Sequence, residues 1–523
     1  MDYLPGATQA PIQRAVELLQ PKLDTLLRLY RRSSRTELAL IGGATLLTLY
    51  NLRNYIRAKR QNLNLPPHVG YSLPIFGHLL YILRDPNGFL DWCADNYGEV
   101  FDLDLMTATV TVTAGRSAEE MLKAPSDQLS LEEGVLKDVL FMHYVIDPTT
   151  FEIGFKVNPA VAKDVIPANK IPGFTENIIK GLELGLHELV GDKQSITIDK
   201  VDVFMQRFVA YMSVPSLIGP EVATNPTVIR SFADFTKDVT SNIGIFLATP
   251  KFLHRFLLPY LQSVAWHRRV MKEHVAPVVR ARREKMKQLG EQHELPPNFL
   301  QGLLEFQKPD GSYYSDEEVA QSVLLVAFAS VHTTSMNLSF CLYWLLARPD
   351  LQERLEKEIK DVLGDDGPIT SEALDKMVFL DNFIREVLRQ GVDKLATTKA
   401  VLCDTYTFAN GYQVPKGRRV QSMGRRLNMG LNSNRSRIDE MDPDLSGNKH
   451  STQPGRDFVT FGLGKHLCPG RFFAVHEIKL SLIFLFTRYK ISIAARKPSH
   501  PVQTLAGVMS QPSSDPITLT RRT

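Results

Sequence analysis

Phe461-Gly-Leu-Gly-Lys-His-Leu-Cys-Pro-Gly470 is the stretch on which the reading of this chain turns. Gly462 and Gly464 loosen the backbone four to six residues before Cys468. Pro469 removes an N–H next to the sulfur, and Gly470 permits close approach. Arg471 to Thr487 then has a helical pattern, so the sulfur sits near a helix N-terminus, where the dipole favours a thiolate. Phe461 is placed to cover one side of a flat group. An open face, backbone N–H donors toward sulfur and exclusion of water are what a single thiolate ligand to a haem iron requires. A lone buried cysteine is more often a small packing residue. The surrounding F-x-x-G-x-H-x-C-x-G pattern is what lifts Cys468 above that reading.

With Phe461, Gly464, His466, Cys468 and Gly470 in its defining slots, the segment resembles the cysteine-ligand loop of the cytochrome P-450 family, the haem-thiolate monooxygenases. The resemblance implies a mainly α fold with a small β-sheet region. It implies haem b as cofactor, Cys468 as its metal ligand, and His466 where a basic residue meets a haem propionate. Phe461, Gly464 and Gly470 complete the implied cofactor-binding set.

Two further segments match in order and spacing. Glu386-Val-Leu-Arg389 fits the family's E-x-x-R. Alone, a Glu and an Arg at i,i+3 are an ordinary helix ion pair. Between the other two motifs, the pair looks like the structural lock behind the haem. The helix carrying it is predicted over about Leu374 to Gln390. Upstream, Ser315-Asp-Glu-Glu318 is a capping box, and the almost uncharged run Val319 to Ala347 follows it until Arg348-Pro349 stops the helix. Such a helix is ~50 Å long and must cross the core. Near its centre, Ala329-Ser-Val-His-Thr-Thr334 resembles the family's A-G-x-(D/E)-T-T, with Ser330 for the glycine and His332 for the acid. Mid-helix hydroxyls bond back to carbonyls and bend helices, which opens a groove. Activating O2 needs protons, and a hydroxyl beside a titratable group can hold and relay them. Thr333 and His332 are therefore the candidate catalytic residues. The bland reading of His332 is a core histidine bonded to a carbonyl. Sterol 14-alpha-demethylases of the same family also carry histidine in that slot.

Before the motifs, the chain divides into segments. Residues 1–37 hold an amphipathic pattern from Ile12 to Tyr30, interrupted by Pro21. Residues 38–52, LALIGGATLLTLYNL, carry no charge over 15 positions and form a candidate transmembrane anchor. A spanning helix needs ~20 residues, and four basic residues flank each side, so charge does not orient it. Residues 53–77 read as a basic, Pro/Gly-rich connector, and 78–523 as the haem-thiolate catalytic domain. Within it, Gly98 to Thr113 is a predicted hairpin with its turn near Met106 to Ala108. Anchor, basic stretch and connector look like a single-pass endoplasmic-reticulum member of the family with its catalytic domain in the cytosol. The motif style is most like fungal members.

Composition narrows the alternatives. The chain has 523 residues, 44% apolar and 23% charged, so a large core is available. A net charge of +4 is too small to indicate nucleic-acid binding, and none is expected. Four cysteines without a C-x-x-C pair exclude a disulfide scaffold and a zinc ribbon. No G-x-G-x-x-G or P-loop is present, so the expected partner is a separate NADPH–cytochrome P-450 reductase. Lys465, Arg471 and Lys479 are candidate contacts for it. The implied activity is insertion of one atom of O2 into a lipophilic small molecule, a terpenoid, steroid or other secondary metabolite. Fatty-acid hydroxylation, a non-oxygenating isomerase or dehydratase, and a degenerate haem-binding chain are the rivals. Two regions depart from the family pattern, and the second is the best support for the last rival. No W-x-x-x-R lies between Ser130 and Ile166, leaving Lys137, His143 and Lys156 as propionate-clamp candidates. The stretch Arg418 to Ser451 lacks P-x-x-F-x-x-x-R-F, leaving Arg435 or Arg437 to complete the Glu386–Arg389 network.

Overall fold

The structure, a computed structural model, describes residues 63–522 apart from 74–75, 106–107, 250, 262–263, 291–294, 365–366, 429–440, 448 and 506–508, together with Ser34 and Thr45. Apart from Ser34 and Thr45, the segment 1–37 and the candidate anchor 38–52 therefore lie outside the described residues, as do Arg435 and Arg437. Residues group into two units, divided between Leu65 and Pro66. The larger unit, Pro66–Thr523, carries all three motifs.

That unit is mainly helical, and its core is built around one element. Helix α1 (Thr175–Val190) packs on α2 (Val201–Leu217), and α2 and α3 (Pro226–Thr240) pack on the 32-residue α4 (Asp316–Ala347). Helices α5 (Val378–Gln390) and α6 (Arg471–Arg488) complete the bundle. The start of α4 is the expected capping box: the Glu318 N–H donates to Ser315 Oγ at 3.3 Å, and Ser315 N–H to Glu318 Oε2 at 2.7 Å. The helix is buried from Val319 to Ala327 and again from Leu338 to Leu345. Between these stretches Ala329 and Thr333, one turn apart, are uncovered. Among the described residues α4 alone is long and apolar enough to cross a membrane, and most of its apolar stretch is buried inside the protein. Its composition is that of a core helix.

Close helix contact explains a glycine. A Cβ on Gly181 of α1 would lie 2.4 Å from the Tyr211 carbonyl oxygen and 2.6 Å from Met212 Cα of α2. Only glycine allows these two backbones to touch. Polar ties then fix α6 against the same pair. Ser213 Oγ of α2 donates to Glu477 Oε1 of α6 at 2.7 Å, and His476 Nε2 lies 2.9 Å from Thr175 Oγ1 of α1.

The largest sheet has five strands: β1 (Val100–Leu105), β2 (Ala108–Thr113), β3 (Leu129–Ser130), β4 (Thr398–Val401) and β5 (Arg419–Ser422), in the order β1-β2-β5-β4-β3. The predicted hairpin is β1–β2, with Val100 opposite Thr113 and Leu105 opposite Ala108. β5 runs parallel to β2, with Val110 opposite Arg419, and antiparallel to β4, with Thr398 opposite Gln421. Three smaller sheets lie elsewhere among the described residues.

Three readings of the sequence change. The described residues of 66–77, read from sequence as connector, group with the larger unit: Val69 is fully buried and its N–H donates to the Asp102 carbonyl at 3.0 Å. The helix expected over Leu374–Gln390 is two helices, Ser371–Lys376 and α5, broken at Met377 (φ −84°, ψ 80°). The Glu358 carboxylate accepts the N–H groups of Phe379 and Leu380 at 2.7 and 2.8 Å, and so supplies the second N-terminus with a cap from another helix. Finally, the described parts of 418–451 are well tied. Arg418 pairs with the buried Asp102, Arg354 with Asp444, and fully buried Ser451 donates through N–H and Oγ to Asp381 at 2.9 and 2.7 Å.

Candidate active site

The Phe461–Gly470 loop closes on itself. The Cys468 N–H donates to the Phe461 carbonyl at 2.8 Å, and the Gly462 N–H to the Val459 carbonyl at 2.8 Å. Gly462 (φ 79°) and Gly464 (φ 64°) hold the left-handed conformations that this turn needs, which disfavours any side chain there. A short 3-10 turn, Gly464–His466, precedes the cysteine, and α6 begins shortly after it, at Arg471. Burial pushes the Cys468 thiol above its ordinary value, while the N–H groups of Gly470 and Arg471 and the Arg471 guanidinium pull the other way. Such donors stabilise a thiolate that ligates a metal. Arg471 also donates to the Cys468 carbonyl at 2.9 Å.

Cys468 borders a cavity of about 670 Å³. Its walls come from the uncovered face of α4, the cysteine loop, the segment after α5, β4, and residues 154–166. Phe155, Leu325, Phe328, Ala329, Leu388 and Phe461 are typical of the mainly apolar lining. From α4 the wall takes Ser330, Thr333, Thr334 and Asn337 but not His332. Thr333 Oγ1 donates to the Ala329 carbonyl at 2.6 Å, and Asn337 Nδ2 to the Thr333 carbonyl at 2.8 Å. Ser330, in the slot of the family's glycine, donates to the Val326 carbonyl at 2.8 Å. These back-bonds follow from hydroxyls placed mid-helix. His332 lies off the wall, its Nδ1 is buried without a hydrogen-bond partner among the described residues, and burial holds its pKa below the usual imidazole value. Phe461, Gly464, His466, Cys468 and Gly470 thus form one loop, of which all but Gly464 line the cavity. Thr333 shares that cavity and His332 does not.

Cations are few here. His466 Nε2 lies 3.1 Å from Ser126 Oγ, and burial together with Lys399 and Lys465 keeps its imidazole below the usual value. Lys399, on β4, is the residue that sequence reasoning missed. It is fully buried, and its Nζ donates to the carbonyls of Leu122 and Ala124 at 3.1 and 3.2 Å. No carboxylate among the described residues pairs with it, and burial pulls its pKa down to about 8. A charge inside the strand run TTKAV was the available signal. The three clamp candidates lie elsewhere. Lys137 pairs with Glu132 and Glu133 at 3.0 and 2.6 Å, Lys156 with Glu152 at 3.2 Å, and the His143 ring lies 4.1 Å from that of Tyr144. None of them lines the cavity.

Behind the loop, Arg389 Nε donates to the buried Glu386 Oε2 at 2.7 Å. Buried Asn428 joins this helix to the loop: its Nδ2 donates to the Arg389 carbonyl at 3.2 Å and its Oδ1 accepts the Val459 N–H at 2.7 Å. On α6, Lys479 forms a 2.6 Å ion pair with Asp381 and is largely covered. Lys465 is exposed.

The donor set fits a haem. A thiol with inward N–H donors borders an apolar chamber, and a lysine without a carboxylate partner stands with His466 on its wall, as a group with two carboxylates would require. Among the described residues no cluster of three metal-ligating side chains offers another metal site.

A family model described as Cytochrome P450 matches residues 67–519. Cytochrome P450 monooxygenase 151 of Postia placenta is 27% identical over 444 residues, covering 81% of this chain and 87% of that protein. Cytochrome P450 monooxygenase AN1598 of Emericella nidulans is 25% identical, covering 81% and 82%, and paxP of Penicillium paxilli is 25% identical, covering 79% and 81%. The retinoic acid-bound cyanobacterial CYP120A1 has a similar fold, with a TM-score of 0.65 at 18% identity over 88% of this chain and all of that one.

Proposed function

The chain belongs to the cytochrome P450 family, whose fold it adopts and whose monooxygenases are its relatives, and from that premise we propose that it inserts one atom of O2 into a lipophilic small molecule. The family implies a haem-thiolate cofactor, and Cys468 is the residue proposed to hold its iron. Lys399 and His466 would face its carboxylates, and Phe461 and Gly470 leave room for its flat face. The haem supplies binding and activation of O2. The single observation that carries the oxygenase reading is Thr333, a hydroxyl on the wall of the chamber that Cys468 borders.

What the chain's own residues contribute follows from their placement. Thr333 holds its proton against the Ala329 carbonyl at 2.6 Å and can turn that proton toward the chamber. Its role does not require His332, whose ring lies off the wall; His332 would act only through the helix. The apolar lining admits a lipophilic substrate and keeps out bulk water, whose protons would favour loss of reduced oxygen as hydrogen peroxide. Terpenoids, steroids and other secondary metabolites are the proposed substrates, with fatty acids the alternative. Electrons are proposed to come from NADPH through a separate reductase. Residues 38–52 are proposed as a single-pass endoplasmic-reticulum anchor, with the catalytic domain in the cytosol.

The test is coupling in the reconstituted system. The wild-type protein with reductase, NADPH and a turned-over substrate should form product in proportion to NADPH consumed. Thr333→Ala should keep consuming NADPH while product per NADPH falls by ~10-fold or more and hydrogen peroxide rises. Unchanged coupling would remove Thr333 from oxygen activation. Product formation without any reductase would favour the isomerase or dehydratase alternative.

A further inference from the structure

Among the described residues lining the cavity, Asp393 is the only carboxylate. It lies in the segment after α5, and the hairpin of Val502–Leu505 with Met509–Pro512 orients it. The Ser510 N–H donates to Asp393 Oδ1 at 2.7 Å. Ser510 itself is buried and fully occupied: its Oγ donates to the Val392 carbonyl at 2.9 Å and accepts from Lys394 Nζ at 3.1 Å. One carboxylate oxygen is therefore fixed by a backbone donor on a paired hairpin. No hydrogen bond reaches Oδ2 from the described residues, and no ion pair joins Asp393 to a described cation. Burial pushes its pKa up, against the pull of the Ser510 N–H and the neighbouring Lys394. An acid in an apolar wall is costly unless something donates to it. The proposed oxygen insertion gives Asp393 no task.

We infer that Asp393 is a substrate-recognition residue, and that the natural substrate is a lipophilic molecule carrying a hydrogen-bond donor, a hydroxyl or a protonated amine, that Asp393 Oδ2 receives. The inference rests on the chamber being the substrate site of a haem-thiolate enzyme. It narrows the substrate class, since a pure hydrocarbon leaves the carboxylate without a donor. It also gives the orientation a cause: a molecule pinned at Asp393 presents a defined carbon elsewhere in the chamber.

The experiment is a binding titration of the haem-loaded full chain, read by the Soret shift on displacement of the iron's water. The probes are dodecane, dodecan-1-ol and N,N-dimethyldodecylamine, which is protonated at pH 7. The expected result is an apparent Kd for one or both donor-bearing probes on the order of tenfold below that of dodecane. Asp393→Asn keeps the oxygen that accepts from Ser510 but presents an amide donor and no charge, so it should erase preference for the amine. Asp393→Ala should erase preference for both. Preference for the alcohol alone identifies a hydroxyl as the group read, and for the amine an ammonium. Wild-type protein that binds all three probes within twofold, or none of them, overturns the proposal, as does an Asp393→Ala variant that keeps the preference. The carbon monoxide spectrum of each variant is recorded first. A protein without a thiolate-ligated haem would count against the enzyme reading itself, whereas a normal spectrum with no donor preference counts against Asp393 alone.

Discussion

Lys399 shows what a single buried charge does to a site. An ammonium with carbonyl partners at 3.1 and 3.2 Å, and no described carboxylate, is held to a pKa of about 8, against 10.5 when exposed. Between those values the unfolded chain binds the extra proton. The stability of haem-free protein should therefore rise with pH from about 8 toward 10.5, and the burial penalty should be fully present below 8. A haem carboxylate beside Nζ would remove that penalty. Chemical denaturation of haem-free wild type and Lys399→Met should thus diverge most at pH 7 and converge near pH 10.5, with Lys399→Met the more stable at the lower pH. In the haem-loaded state the same variant should instead lose haem faster. A variant with faster haem loss and no pH divergence would leave the cation without its assigned surroundings. At this scale the sequence is uneven. Cys468 and Thr333 were legible because each sits in a dense pattern of unusual neighbours. Lys399 was not, because one lysine in a strand run carries no pattern, and its isolation is a property of the folded chamber. His332 was legible as a residue type, but its place off the wall depends on the rotation of α4.

At the scale of elements, α6 carries both the site and a costly packing choice. Glu477, fully buried, accepts from Ser213 Oγ through one oxygen while Oε2 has no partner among the described residues, and burial raises its pKa to about 8. Its folded pKa lies above the unfolded one. The folded state therefore keeps a proton that the unfolded chain gives up above about 4.5, and stability contributed by the neutral acid falls as pH rises from there to about 8. The size is on the order of a few kcal/mol. Glu477→Gln should flatten that fall and raise the melting temperature at pH 8, while leaving it little changed at pH 5. An unchanged slope between those two pH values would mean that Glu477 is already ionised in the fold. The helices themselves were largely readable. The capping box at Ser315 and the stop at Arg348-Pro349 fixed α4 from local chemistry. The break at Met377 was hidden, because its cause is the Glu358 carboxylate of a different helix. The same holds for Pro66 to Gly77. Its proline and glycine content excluded a helix but said nothing of the pairing to β1.

The whole molecule turns on one arrangement: a long helix and a cysteine loop facing across an apolar chamber, with E-x-x-R and Asn428 bracing the loop from behind. The family and the mainly α architecture were legible from three spaced motifs. The chamber was not, since residues from 122 to 478 converge on it and no local pattern records that convergence. Nor could the unusual Arg418–Ser451 stretch be judged from sequence. Its described ends are held by buried bonds to Asp381, Asp102 and Arg389, which argues against a degenerate core.

The most direct test is the absorption spectrum of the reduced 523-residue chain with carbon monoxide, taken beside Cys468→Ala. The account predicts a strongly red-shifted Soret band from a thiolate-ligated haem, and its loss in the variant. A blue, histidine-like band in the wild type, no bound haem, or a red-shifted band that survives in Cys468→Ala would contradict it.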